Sequence, residues 1–109
     1  MDERIPAHLE VSGLVRRVGA EGGFATVLHK GEPDAGTILL VLLENGRNSR
    51  VFERMPQLDG SRKWTATRSE VADSKEKVDE YLARRGQQDP DLWIVELDIP
   101  QAERFIGLS

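Results

Sequence analysis

An unbroken run of six aliphatic residues, Ile38 to Leu43, is the feature that most constrains how this chain folds. Gly36 bounds the run on one side and Asn45-Gly46 on the other, and such a length between turn signals indicates a strand. A strand that is apolar at every position has no face that it can leave in water. Burial of these side chains contributes about 9–18 kcal/mol, against a net stability of about 5–15 kcal/mol for a whole domain. The fold is therefore predicted to be built around this strand.

Length and composition are those of an ordinary globular protein. The chain has 109 residues, 39% hydrophobic and 31% charged, and we predict a single α+β domain over residues 1–109. Cysteine is absent, which excludes disulfides and thiolate chemistry. The first residues show no signal-peptide pattern, and no apolar run approaches the roughly 20 residues that span a bilayer. We therefore expect a cytoplasmic protein without membrane contact.

Charge is distributed unevenly along the chain. The net charge of −4 argues against a general nucleic-acid binder. Residues 45–70, however, hold six bases and three acids, a local charge of +3, so the remainder carries −7. This asymmetry is the compositional indication of a partner.

Two helices are predicted from apolar periodicity. The spacing i, i+3, i+4, i+7 from Val11 to Val18 indicates an amphipathic helix that ends at the glycines of residues 19–23. A second helix begins with a capping box, Asp73 to Glu76, and ends at Gly86. Its inner stripe consists of Val78, Tyr81, Leu82 and Arg85.

The strands follow from turn signals. Residues 24–30 are predicted to form a first strand, and Asn45-Gly46 and Asp59-Gly60 to form tight hairpin turns. These turns make a four-strand antiparallel meander over residues 24–68. Residues 91–99 alternate as a fifth strand, after which Asp98 is predicted to cap a short C-terminal helix. The predicted class is α+β, with the two main helices and the short helix packed mainly on one face of the sheet.

The turns also predict a register. The first places Leu42 opposite Ser49 and Leu40 opposite Val51, and the second places Met55 opposite Trp64. Because side chains alternate across a sheet, this register sorts them into two faces. The better core contains Ile38, Leu40, Leu42, Val51, Met55, Trp64 and Ala66. The other face is half apolar and half basic, with Leu39, Val41, Leu43, Phe52, Arg50, Arg54, Lys63, Thr65 and Thr67.

Two stretches of the chain are similar to a known family. LVRRVGAEGGFATVLHKGEPDAGTILLVL and YLARRGQQDPDLWIVELDIPQAERF resemble a small bacterial family catalogued as domain of unknown function 1491. The resemblance spans nearly the whole chain, and the DPDLW-VELDIP segment is its most specific part. It implies a compact bacterial α+β protein and carries over no catalytic residue.

The residue patterns assign no catalytic, cofactor-binding or metal-binding residue. The glycines of residues 19–23 follow a helix and precede a strand, which is the reverse of a phosphate-binding loop. His8 and His29 have no ligand spacing, and no cysteine completes a zinc set. Glu96 and Asp98 share a strand face about 6–7 Å apart, but two carboxylates are few for a hard cation. We expect no tightly bound transition metal or organic cofactor.

Two functions remain open, and an enzyme ranks third. The leading hypothesis is a non-enzymatic protein-interaction module with an unidentified protein partner or its own copy. The alternative is a nucleic-acid-associated protein that uses the basic sheet face, where cations interleave with an aromatic ring. The candidate partner-binding residues are Arg50, Phe52, Arg54 and Lys63. Arginine stems that cover apolar neighbours would equally explain this face.

Self-association is expected to use the second sheet face. Leu39, Val41, Leu43 and Phe52 would remain uncovered there if the helices pack on the first face. A monomer rarely leaves such a patch in water, and a two-fold homodimer is the commonest way to bury it. The rival hypothesis is that the N-terminal helix crosses to this face and makes a three-layer monomer.

Overall fold

The computed structural model describes residues 5–108 and contains five strands, two α-helices and one 3-10 helix. The predicted α+β class is confirmed. No helix among these residues is long and apolar enough to cross a membrane. In chain order the elements are α1 (Ala7–Ala20), β1 (Phe24–His29), β2 (Ile38–Glu44), β3 (Arg47–Pro56), β4 (Arg62–Ser69), α2 (Lys75–Gln88), β5 (Trp93–Asp98) and the 3-10 helix (Ala102–Ile106).

The five strands form one mixed sheet in the order β1-β5-β2-β3-β4. The predicted meander is therefore wrong in one respect: only β2, β3 and β4 are consecutive neighbours. β5 lies between β1 and β2, parallel to β2 and antiparallel to β1. The connection from β1 to β2 passes tightly over the start of β5, since a Cβ on Gly31 or Gly36 would lie within 2.5 Å of the Asp91 carbonyl oxygen.

Burial explains why β5 takes this inner place. Four of its six residues are buried, whereas β1 has none that is fully buried. A sheet is most stable when its most apolar strands are central, because central strands are covered on both faces. β2, with six buried residues, is accordingly the middle strand.

Helices cover both faces of the sheet. α1 and the 3-10 helix pack on the face of Ile38, Leu40 and Leu42, and α2 packs on the face of Leu39, Val41 and Leu43. The expectation that helices lie mainly on one face is therefore wrong. The second face is at most 5% exposed at its three β2 positions, so the patch predicted to drive face-to-face dimerisation is already buried. The three-layer arrangement occurs, but α2 rather than α1 supplies the third layer.

The first hairpin turn is confirmed, and the predicted register is wrong by one residue. Asn45 and Gly46 have φ of 52° and 72°, as a type I′ turn requires. The strand pairs are Val41 with Val51 and Leu40 with Phe52. A bulge after the turn, where Asn48 has a φ of 57°, inserts one extra residue into β3.

The second hairpin has a longer turn than predicted. β3 and β4 pair from Pro56 with Arg62, and a bond from the Gln57 amide to the Ser61 carbonyl oxygen encloses the three residues 58–60. Met55 therefore lies opposite Lys63 instead of Trp64. Three-residue loops that end in a left-handed glycine are a common hairpin connection, and Gly60 has a φ of 88°.

The structure also differs from the prediction at the N-caps of two helices. The N-cap of α2 is Ser74, whose Oγ accepts a hydrogen bond from the Lys77 amide at 3.2 Å. Asp98 does not cap the 3-10 helix. Its carboxylate instead accepts the Asn45 and Gly46 amides at 2.7 and 2.9 Å, which fastens the β2–β3 turn to the end of β5.

Two glycine substitutions, one in the β2–β3 turn and one in α1, should change the free energy of unfolding in opposite directions. Gly46→Val should lower the free energy of unfolding by more than about 1 kcal/mol, because a β-branched residue is strained at positive φ. Gly13→Ala should raise it by roughly 0.5–1 kcal/mol, because a methyl there meets nothing within 4 Å and alanine favours a helix. Urea unfolding measures both changes. An unchanged midpoint for Gly46→Val would contradict the turn assignment.

Candidate functional site

The structure distributes the four predicted partner-binding residues over both faces of the sheet. Arg50, Phe52 and Arg54 alternate along β3 and lie on the α1 face, where Phe52 is 7% exposed and part of the core. Lys63 is exposed on β4 and lies opposite Met55, on the α2 face. The four residues therefore do not form one continuous basic surface. Their role in binding a partner stays a prediction.

Both arginines of this set are paired with acids from the helical elements. Arg50 Nε lies 2.8 Å from a carboxylate oxygen of Glu103 in the 3-10 helix. Arg54 donates to Glu10 of α1, and its guanidinium lies 4.5 Å from the centroid of the Trp64 ring. Their charge is thus compensated within the molecule. The sequence offered no local signal for these pairs, because Glu10 and Glu103 are more than 40 residues from their partners.

On the α2 face, a polar group that we call the Glu53 cluster joins β3, β4 and α2. It consists of Glu53, Thr67, Tyr81 and Arg85. The Glu53 carboxylate accepts hydrogen bonds from the Thr67 and Tyr81 hydroxyls, both at 2.6 Å, and from the Arg85 guanidinium. Arg85 also donates to the Tyr81 hydroxyl at 2.6 Å. Sequence reasoning placed Tyr81 and Arg85 on the inner stripe of the helix but missed Glu53, since the predicted register put it on the other face.

The electrostatics of the Glu53 cluster hold it in one protonation state. Burial by itself raises the pKa of Glu53, but the hydrogen bonds from Arg85, Thr67 and Tyr81 outweigh it and lower the pKa below its ordinary value. Burial and the bond to Glu53 raise the pKa of Tyr81, so the hydroxyl stays protonated. The cluster is therefore a closed, satisfied network that fastens α2 to the sheet.

The remaining candidates for chemistry are Glu96 and the two histidines. Burial first, and then the charge of Asp98, raises the pKa of Glu96. Nδ1 of His8 lies 2.9 Å from the Pro33 carbonyl oxygen, and Nδ1 of His29 lies at hydrogen-bond distance from the Leu92 carbonyl oxygen. Within residues 5–108, no three side chains of His, Asp or Glu are grouped as a metal would require.

The edge strand β1 carries three of the four large apolar residues that are exposed in the sheet, including the two most exposed. Phe24, Leu28 and Val27 are 75, 49 and 40% exposed. Phe24 lies opposite Asp98 and hence on the α2 face, and Val27 lies opposite Val95 on the α1 face. Apolar side chains thus flank the free backbone edge on both sides. Free edge amides and carbonyls are a template for another strand. We call the open backbone of β1, together with the side chains of Phe24, Val27 and Leu28, the β1 edge.

An apolar groove adjoins the β1 edge on the α2 face. Its volume is about 310 Å³, and its lining consists of Leu28, His29, Leu82, Ala83, Gly86, Gln87 and Ile94. A larger groove of about 670 Å³, beside the start of α1 and the β3–β4 turn, is more polar and includes the paired Glu10 and Arg54. The smaller groove is the better receptor for an apolar side chain.

The two edges of the sheet differ in charge. β1, with the sequence FATVLH, contains no Asp, Glu, Lys or Arg. β4, with the sequence RKWTATRS, contains Arg62, Lys63 and Arg68. Charged side chains on an edge strand, lysine above all, discourage the addition of another strand. Only β1 combines the open backbone with apolar flanks.

The family model described as "Protein of unknown function (DUF1491)" matches residues 5–107. The chain belongs to the DUF1491 family. The resemblance predicted from the sequence is confirmed. A search of curated proteins gave no match.

Solved structures agree with this assignment. The crystal structure of a DUF1491 family protein from Caulobacter crescentus CB15 is 30% identical, with a TM-score of 0.82, over 96% of this chain and 97% of that chain. A solution structure of a protein from A. tumefaciens is 28% identical, with a TM-score of 0.76, over 96% of this chain and 94% of that chain. An NMR structure of a DUF1491 family protein from C. crescentus CB15 is 27% identical, with a TM-score of 0.74, over 95% of this chain and 94% of that chain.

The Glu53 cluster of this DUF1491 protein predicts a pH-dependent stability. Because the pKa of Glu53 is lower in the folded protein than its ordinary 4.5, the ionised carboxylate stabilises the fold above that pH. This contribution is lost as the pH falls through the folded-state pKa. Glu53→Gln should therefore destabilise by about 1–3 kcal/mol at neutral pH, and by clearly less in acid below the folded-state pKa.

Urea unfolding of the wild type and of Glu53→Gln, at neutral pH and in acid, measures how the destabilisation changes with pH. Asp79→Asn is the matched control, because it removes an exposed i,i+4 pair with Lys75 and should change stability by less than about 0.5 kcal/mol. A destabilisation by Glu53→Gln that does not change with pH would contradict the proposed ionisation of Glu53.

Proposed function

We propose that this DUF1491 protein is a non-enzymatic protein-interaction module of the cytoplasm, and that its docking surface is the β1 edge. One observation carries the proposal: an uncharged edge strand with exposed apolar residues on both sides lies next to an apolar groove. Exposed apolar surface of this kind is typical of protein–protein contact sites.

The mode of binding that fits this surface is strand addition. An extended segment of the partner pairs with the free amides and carbonyls of β1, which provides affinity independent of sequence. Its alternate side chains contact Phe24 and the groove on one face and Val27 on the other, which provides specificity. The bound segment would become the sixth strand of the sheet.

The polar groups of the molecule support a binding role over catalysis. In the part of the chain that the structure describes, the Glu53 cluster and the pairs Arg50–Glu103 and Arg54–Glu10 use their polar atoms to join helices to the sheet. Catalysis requires groups that face a bound substrate with unused hydrogen-bonding capacity. These groups are committed to the fold.

The alternative of nucleic-acid binding receives less support from the geometry. Arg62 and Lys63 are exposed on β4 and favour it. Against it, Arg50 and Arg54 are compensated by acids, Phe52 is buried, and Arg68 stacks at 4.4 Å on the Tyr81 ring of the protein itself. A single-strand binder needs exposed aromatic rings for the bases together with free cations.

Peptide display tests the docking surface. The wild-type protein, immobilised as well-separated single copies, should enrich extended peptides with alternating apolar residues from a random library. Val27→Lys, which puts a charge on the β1 edge, should abolish that enrichment. Thr65→Lys is the matched control on the opposite edge strand, where Thr65 is exposed, and should bind as the wild type does. Enrichment that Val27→Lys leaves unchanged would contradict the proposal.

A further inference from the structure

We infer that the partner of the β1 edge is a second copy of this chain, held by antiparallel pairing of β1 with β1 about a two-fold axis at Thr26. The inference rests on the proposed function and names its occupant. Two features make the strand complementary to itself: the spacing of its side chains and the charges at its two ends. A third feature, the basic residues of β4, disfavours self-pairing at the other edge of the sheet.

The first feature is a match between Phe24 and the groove. In an antiparallel pair centred on Thr26, Phe24 of one copy comes beside Leu28 of the other, since the two residues are equally far from the centre along the chain. Leu28 is the extra residue of a bulge in the β1–β5 pairing. Leu28 lines the apolar groove on the α2 face, and Phe24 points to that same face. Each copy therefore places its most exposed large apolar residue of the sheet at the groove of the other.

The pairing buries the Phe24 side chain and the apolar groove, both of which a single copy exposes to water. An aromatic side chain buries about 150–250 Å² when covered, and Phe24 is 75% exposed in the single chain. The groove of about 310 Å³ has room for one aromatic ring. Because the contact is isologous, the gain occurs twice.

The second feature is charge at the two ends of β1. Glu21 precedes the strand and Lys30 follows it, and both are exposed. Antiparallel pairing brings the Lys30 end of one copy beside the Glu21 end of the other, so opposite charges meet at both ends of the ribbon. Glu21 also binds Arg104 at 2.6 Å, but half of the Glu21 side chain remains exposed, so the Lys30 of the second copy can reach the same carboxylate.

The third feature excludes the other edge as the site of self-pairing. Two β4 strands would bring Arg62, Lys63 and Arg68 of both copies together, and like charges opposite each other destabilise a strand pair. The β1 strands present no such repulsion. Pairing at β1 would make a continuous ten-stranded sheet from two copies of the five-stranded one.

Sedimentation equilibrium at micromolar concentration tests the association. The wild type should reach about 24 kDa, twice the 12.2 kDa of one chain. Phe24→Asp should raise the dissociation constant at least tenfold. Val71→Asp is the matched control, since Val71 is 84% exposed and lies outside the sheet, and it should associate as the wild type does. Equal effects of the two variants would overturn the role of Phe24.

Cysteine cross-linking tests the register independently. The chain has no cysteine, so Thr26→Cys introduces one thiol per copy, at the proposed axis. Directly opposite strand residues have Cα atoms about 4.5–5.5 Å apart, which a disulfide spans. On mild oxidation, in which two thiols lose two electrons and two protons to molecular oxygen or an added disulfide, Thr26→Cys should become a covalent dimer. Thr65→Cys on β4 should not.

The outcomes separate this inference from the proposed function. A 12.2 kDa wild type at all concentrations, with no Thr26→Cys cross-link, overturns the second copy as occupant. If peptides still bind at β1 in that case, the docking surface stands with a different partner. If neither peptides nor a second copy bind, both proposals fail.

Discussion

The burial of β2 on both faces is the constraint on which the rest of the structure depends. Its six aliphatic residues, Ile38 to Leu43, are all buried, so the strand needs a layer above it, a layer below it and a neighbour at each edge. α1 with the 3-10 helix forms one layer, α2 forms the other, and β3 and β5 are the neighbours. A second apolar strand, β5, therefore lies in the interior, and the less apolar β1 is left at the edge.

The strand β3 connects these layers. On one face it provides Arg50 and Arg54, which bind acids of the 3-10 helix and α1. On the other it provides Glu53, which binds Arg85 of α2. Each helical element thus has one charged contact with the same strand. The basic pattern that suggested a partner surface is largely accounted for by contacts that orient the helices.

Local signals in the sequence predicted much of the fold but not its long-range pairing. The glycine-containing turns, the helical stripes and the apolar run each concern a few neighbouring residues, and all appear in the structure, the second turn with one residue more than predicted. The place of β5 depends on parallel pairing between strands more than 50 residues apart, for which the sequence has no turn signal. The register failed because Asn48 adopts a bulge, and this single residue moved Val51 and Glu53 to the α2 face and Phe52 to the α1 face. The β1 edge was missed because the sequence gives neither the exposure of Phe24, Val27 and Leu28 nor the groove beside them.

The fold thus buries its central strand β2 on both faces and leaves the uncharged β1 edge open. We propose that this edge is the functional surface. Amide hydrogen exchange of β1 at low and high protein concentration tests most directly whether a second copy occupies this surface. Strand pairing predicts that the alternate β1 amides not bonded to β5 exchange rapidly in dilute solution and slow as concentration rises, while the free amides of β4 do not change. Outward β1 amides that exchange equally fast at every concentration would contradict the pairing of β1 with a second copy.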